Sequence, residues 1–376
     1  MISRVLVDRL RQKLFKQKAI IVLGPRQVGK TTLLKNLAFD PNEILWMNAD
    51  EIDVQQTLSE VSSGSFKALL GKKKIFIIDE AQRIENIGLK LKLITDNLPE
   101  IQVIATGSSS FDLANRVNEP LTGRKWEYNL FPLSYQELVE HHGMLTENRL
   151  LEHRLVYGYY PEVVSNPGEE EERLKLICHS YLYKDVLLWE RLHKSDKLVR
   201  LLQALAHQIG SQVSFNELAE ICSMDPKTVE KYVNLLEQAF VIFRLPSFSR
   251  NLRNELKSSR KIYFYDNGIR NAIINNFNPI ALRSDVGFLW ENFLVSERLK
   301  FNSYHLLNKN SFFWRTVNQQ EIDLIEEYGG QLHAYEFKWN SKKTVRLTKT
   351  FENAYPNSTF DVINPGNLHE FLLPNK

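Results

Sequence analysis

Apolar positions follow two rhythms along this chain. Five short, mostly apolar runs, at residues 19–23, 44–47, 75–78, 101–105 and 126–131, are separated by helical or loop-like stretches. Strands that are apolar on both faces belong to a parallel sheet covered on both sides, so these runs predict a five-stranded parallel α/β core. Ahead of them, residues 1–17 place Val5, Leu6, Leu10 and Leu14 on one stripe and Arg4, Arg9, Arg11 and Lys13 outside it. That is the pattern of an amphipathic helix packed on the sheet. Residues 134–195 have helical spacing (Leu174, Ile177, Tyr181, Leu182, Leu188) and predict a helical lid or bridge.

The next fifty residues carry stronger boundary signals. Lys197 to Gln208 is amphipathic, Ser214 with Glu217 three positions on is a capping box, and Asp225-Pro226 caps a third helix. Phe240 to Pro246 then reads as a strand. Helix, turn, helix, strand predicts a winged helix-turn-helix with Lys227, Thr228, Lys231 and Tyr232 on its recognition helix. Arg244, Arg250, Arg253, Lys257, Arg260 and Lys261 follow, against a single acid, Glu255. They are either phosphate contacts for nucleic acid or a solvated charged face, and a winged helix serves DNA or a protein partner equally well. The resulting divisions are a core at 1–133, a helical segment at 134–195, a winged helix at 196–255 and a last domain at 256–376.

Composition narrows the class more than the function. A chain of 376 residues, 43% hydrophobic and 25% charged, is too long for one ordinary core. It has no apolar run near the ~20 residues of a membrane span and no apolar core of a signal peptide at its start. Two cysteines are too few for a disulfide scaffold or a zinc site, which fits a reducing cytoplasm. A net charge of +3 is too small to argue for nucleic acid by itself.

The first chemistry lies at the end of the first apolar run. Gly24-Pro25-Arg26-Gln27-Val28-Gly29-Lys30-Thr31-Thr32 follows a predicted strand and opens a predicted helix, the context a phosphate-binding (Walker A) loop requires. Its backbone amides surround phosphate, Lys30 reaches the terminal phosphates, and the Thr31 hydroxyl ligates Mg2+. The third run ends Asp79-Glu80-Ala81-Gln82, a Walker B end in which Asp79 holds the metal through its water shell and Glu80 orients the attacking water. The fourth run ends in Thr106-Gly107-Ser108, where Thr106 and Ser108 are candidates to sense the γ-phosphate or form a plain serine-rich turn. Arg124, before the fifth run, is either a transition-state arginine, in its own subunit or a neighbour, or an exposed surface residue.

The C-terminal stretch carries a second constellation. Residues 285–295 read as a helix on which Glu291 has only uncharged one-turn neighbours, a costly place for a carboxylate unless it is paired or binds metal. Asp323 lies on a strand and, beyond the Gly329-Gly330 turn, Glu336 and Lys338 share one face of the next. The set resembles the PD-(D/E)xK nucleases of the restriction-endonuclease type. That resemblance implies acids (Glu291, Asp323, Glu336) holding Mg2+ and a lysine helping to activate water. The alternative is an inert scaffold of that fold in which Glu336 and Lys338 form a salt bridge. Ile322 stands where a proline precedes the aspartate in the motif.

The phosphate loop, Asp79-Glu80-Ala81-Gln82, Thr106-Gly107-Ser108-Ser109, Leu121-Thr122-Gly123-Arg124, Phe131-Pro132-Leu133-Ser134, Gly158-Tyr159-Tyr160-Pro161-Glu162 and Tyr181-Leu182-Tyr183-Lys184-Asp185 resemble one prokaryotic group. It comprises predicted AAA-type ATPases whose C-terminal half is a domain of unknown function with a restriction-endonuclease-like end. The resemblance spans nearly the whole chain and implies ATP hydrolysis. The expectation is therefore an ASCE/AAA-type P-loop ATPase using ATP and Mg2+, coupled to DNA engagement by the C-terminal half, with or without metal-dependent cleavage. The alternative is a nucleotide switch that binds a protein partner and cuts nothing. The oligomeric state is open.

Overall fold

A computed structural model describes residues 2–60, 62–107, 121–179, 195–249, 260–343 and 345–374. The chain divides into two compact units, Met1–Pro132 with Gln238–Phe240, and Leu133–Glu237 with Val241–Lys376.

In the first unit, β1 (Ala19–Leu23), β2 (Ile44–Asn48), β3 (Ile75–Asp79), β4 (Gln102–Gly107) and β5 (Lys125–Asn129) form one sheet in the order β2-β3-β4-β1-β5. Every pairing in it is parallel. Strands β1, β3 and β4 are buried at every position, including the polar Asp79, Gln102 and Thr106. At the edges the signal weakens: β2 is half-buried throughout and β5 exposes Glu127, because each has a neighbour on one side only. Strand β4 lies between β1 and β3, so the loop after β1 and the acids after β3 flank the end of β4. The N-terminal helix, Leu6–Lys13, buries Leu6, Val7 and Leu10 and begins later than its periodicity suggests. That delay removes Arg4 from the helix.

The second unit starts with short helices and continues through helix Ser195–His207, β6 (Gln212–Val213), helices Phe215–Cys222 and Pro226–Gln238, β7 (Ile242–Pro246) and β8 (Arg260–Phe264). These strands form an antiparallel sheet in the order β6-β8-β7. Ser214 caps its helix by accepting from the Glu217 amide (3.4 Å), but the Glu217 carboxylate accepts from Gln208 (3.4 Å). Among the recorded bonds, half of the expected capping box forms.

After the long helix Val286–Tyr304 come β9 (Asn310–Arg315), β10 (Glu321–Tyr328), β11 (Gln331–Phe337) and β12 (Thr359–Ile363), in the order β12-β11-β10-β9. Both hairpin pairings are antiparallel and β11–β12 is parallel. The predicted Gly329-Gly330 turn joins β10 to β11 with both glycines at positive φ (60° and 78°). No helix among the described residues is long and apolar enough to cross a membrane.

Candidate functional site

The nucleotide candidate sits at the carboxyl end of the parallel sheet. Strand β1 leaves it at Gly24, whose amide donates to Gly107 O (3.2 Å). A Cβ at Gly24 would lie 2.2 Å from Leu130 O, so any larger residue would push the loop off the sheet. The loop re-enters through Gly29, in the left-handed region at φ 90°, and helix Lys30–Lys35 follows. Pro25 and Val28 are buried, Arg26 half-buried, and Gln27 and Thr32 exposed. Lys30 is 6% exposed. Its ammonium donates to Gly24 O and Pro25 O (3.0 Å each) and lies 4.0 Å from the Glu80 carboxylate.

Asp79 ends β3 and is also buried. Its Oδ2 accepts from the Thr31 hydroxyl (2.6 Å) and its Oδ1 accepts from the Thr106 hydroxyl. An oxygen-only pair, Thr31 with Asp79, fits a hard divalent cation. Thr106, one of the two candidates for a phosphate sensor, bonds the aspartate, because β4 is inserted between the two motif strands. Ser108, its companion in that expectation, lies outside the described residues. Glu80 adopts φ 52°, and its carboxylate accepts from Gln82 Nε2 (2.6 Å).

Two features of this site differ from the sequence reading. Arg4, assigned to the solvent face of a helix, is 6% exposed. Its guanidinium donates to Val28 O (2.8 Å) and Phe131 O (2.6 Å), tying the phosphate loop to the segment after β5. The only signal in the sequence was its position ahead of the first apolar residue pair. Arg124 departs in the opposite direction. Its carbonyl accepts from Ala19 N, at the amino edge of the sheet. The five-residue strand β5 separates it from the phosphate edge, about 16 Å at a strand's rise per residue. Its side chain pairs with Asp96 (2.5 Å). A catalytic role for Arg124 on its own subunit's nucleotide is therefore corrected: the register places it at the wrong end.

A second cluster forms in the C-terminal sheet. The register pairing Leu324 with Tyr335 sets Asp323 opposite Glu336. Asp323 Oδ2 accepts from Phe337 N (2.7 Å), and Lys338 donates to Glu336 (2.6 Å). Glu291, on helix Val286–Tyr304, accepts from Lys261 Nζ (2.8 Å) and from the Tyr263 hydroxyl (2.7 Å), both on β8. Lys261 also pairs with Glu321, whose other oxygen lies 3.7 Å from Arg315. The structure thus brings Glu291, Asp323, Glu336 and Lys338 together, and adds Lys261, Tyr263 and Glu321. Lys261 and Tyr263 are two apart on a strand, so their shared face was legible, but their partners were not.

Electrostatics follow the geometry. Burial pushes the Asp323 carboxyl well above the usual range, reinforced by Glu291 and Glu336 and opposed by Lys261. Burial pulls Lys261 down, yet Glu291, Asp323 and Glu321 outweigh it and raise the ammonium. The Tyr263 hydroxyl is raised, first by burial and then by Glu291. Among the described residues, no group of three or more His, Cys, Asp or Glu is placed to hold a metal ion.

The expected recognition helix is partly used up by the fold. Tyr232 is 6% exposed and belongs to the core, and the Thr228 hydroxyl bonds its own cap, Asp225. Lys227 and Lys231 are exposed. Arg244 pairs with Glu237 and Lys261 is buried, so both ends of the basic strip are drawn inward. Arg250, Arg253 and Lys257 lie outside the described residues.

Comparison with known proteins agrees with the first unit. Residues 16–139 match a family described as an AAA domain, residues 148–279 a domain of unknown function (DUF8612), and residues 286–371 another (DUF4143). The chain is 26% identical over 341 residues to an uncharacterized protein of Mycobacterium tuberculosis, covering 90% of this chain and 74% of that one. An uncharacterized protein of Haemophilus influenzae is 26% identical over 290 residues, 68% of each chain. A solved Walker-type ATPase of Pyrococcus abyssi superimposes with a TM-score of 0.53 at 16% identity, covering 73% of this chain and 96% of that one. The parallel sheet, the AAA match and this likeness of fold together support a P-loop ATPase.

Proposed function

We propose that this chain is an Mg2+-dependent ATPase that couples ATP binding and hydrolysis to engagement of DNA by its C-terminal half. The observation that carries hydrolysis is the meeting of Lys30, Thr31, Asp79 and Glu80 at one end of the sheet. Backbone amides of the loop beyond Pro25, up to Thr32, cradle the phosphates, and Lys30 exchanges the Gly24 and Pro25 carbonyls for phosphate oxygens. Thr31 and Asp79 would hold Mg2+, which when bound neutralises charge on the phosphates. Glu80 leaves its bond to Gln82 to orient and polarise the attacking water, while Thr106 keeps Asp79 in place. Ser108 keeps its proposed role at the γ-phosphate.

Exposed Lys227 and Lys231, on the second helix of a helix-turn-helix order closed by β7 and β8, support DNA as the ligand of a winged helix at 196–255. The strands β9–β12 with Asp323, Glu336 and Lys338 support a restriction-endonuclease-like framework at 256–376. A second reading is a nucleotide switch that engages a protein partner without cleavage. It is favoured by the inward pairing of Arg244 and the burial of Tyr232 and Lys261, which leave fewer groups to read DNA. ATP turnover of the full chain with and without duplex DNA separates the two. Stimulation supports DNA, and indifferent turnover with a captured partner supports the switch. Lys30→Ala abolishes ATP binding, and unchanged affinity in a titration of that variant would defeat the ATPase reading itself.

A further inference from the structure

We infer that Lys261 occupies the place of a divalent cation in the C-terminal carboxylate cluster, so that this cluster binds no Mg2+ or Mn2+ and cuts no phosphodiester. The restriction-endonuclease-like arrangement implies a metal among Glu291, Asp323 and Glu336, and the donor atoms here do not fit one. Glu291 Oε1 is shared by the Lys261 ammonium (2.8 Å) and the Tyr263 hydroxyl (2.7 Å). One oxygen of Asp323 is taken by the Phe337 amide (2.7 Å) and one of Glu336 by Lys338 (2.6 Å). Each acid of the expected metal set therefore already has a donor built into the fold.

The charge balance points the same way. Glu291, Glu321, Asp323 and Glu336 face Lys261, Lys338 and Arg315, which leaves the cluster within one charge of neutrality without any ion. Lys261 is 1% exposed, and β8 is paired on both sides by β6 and β7. Its head is held by the Glu291 and Glu321 carboxylates. A divalent ion entering beside it would meet a fixed like charge in a site with little water to screen it. Nuclease chemistry of this type needs a metal to polarise the attacking water. The acids instead clamp β8, helix Val286–Tyr304 and the β10–β11 hairpin to one another.

The test is Mn2+ binding by the full-length protein without nucleotide, read from the paramagnetic resonance signal of free Mn2+. The wild type and Asp323→Asn are expected to bind the same amount of Mn2+ through the millimolar range. Lys261→Met, of similar length and without charge, should gain an Mn2+ site that the wild type lacks. Adding Asp323→Asn to that variant should remove the gain. The inference is overturned if the wild type holds Mn2+ that Asp323→Asn releases. It is also overturned if folded Lys261→Met gains no Mn2+ binding. Should Lys261→Met not fold, the comparison of wild type with Asp323→Asn still decides whether metal binds. Because no ATP is present, this result is independent of the ATPase reading.

Discussion

Replacing Arg4 by alanine tests whether the phosphate loop is held from behind. The guanidinium is buried and donates to Val28 O and Phe131 O at 2.8 and 2.6 Å. Hydrogen bonds from a charged donor contribute roughly 1.5–3 kcal/mol each, and a carbonyl left unsatisfied costs a similar amount. Water entering the vacated space would recover part of this, so the expected loss of stability in the first unit is about 2–4 kcal/mol. Val28 precedes Gly29 and Lys30, so loosening its carbonyl lets the loop sample positions that do not bind phosphate. If about 1.4 kcal/mol of that loss falls on the loop, ATP affinity drops about tenfold. The assay pairs a titration with a fluorescent nucleotide and hydrogen exchange of the peptide covering residues 24–37. Faster exchange at Val28 to Thr31 with weaker binding is the expected pair of results, and Arg4→Lys, with one ammonium for two carbonyls, should fall between. Exchange and affinity both at wild-type level in a folded Arg4→Ala would refute the role.

Three further outcomes follow from the same geometry. Glu80→Gln should bind nucleotide within about twofold of wild type and lose about a hundredfold or more in turnover, and undiminished turnover would remove Glu80 from the mechanism. Arg124→Ala gives up a half-exposed pair with Asp96 and a 3.5 Å bond to Thr122 O, and should leave turnover within about twofold, with a stability change of about 1 kcal/mol or less. Glu326 is fully buried, and burial alone would raise its carboxyl; bonds from Arg298 (2.8 and 2.7 Å), Asn302 (2.6 Å) and Lys309 (2.9 Å) outweigh that and bring it down to about 2. A folded value below the unfolded 4.5 means the stabilisation is present above that pH and fades as pH falls toward 2. It amounts to about 3 kcal/mol. Urea melts of the second unit should steepen downward over that window in the wild type and flatten in Glu326→Gln; equal acid sensitivity would contradict the assignment.

Much of the first unit's site could be read one residue after another. A buried strand, a glycine that must pass close to backbone and a second glycine before Lys30 are local requirements, so the spacing in Gly24–Thr32 announces them. Asp79 and Glu80 announce themselves by ending an apolar run. The same holds for the hairpin that sets Asp323 against Glu336, because a two-glycine turn determines its register. Other assignments needed the assembled sheets. Arg4 changes from solvent to core because the helix begins only at Leu6 and the loop and the β5 exit meet beside it. Thr106 serves Asp79, and Arg124 lies far from phosphate, through strand order and direction alone. Lys261 looked like one more basic residue in a strip, and it takes β8, a helix and a hairpin together to surround it with acids. Periodicity and spacing record what a residue asks of its chain neighbours, whereas the sign of a buried charge's surroundings depends on segments tens of residues away, which only packing brings together.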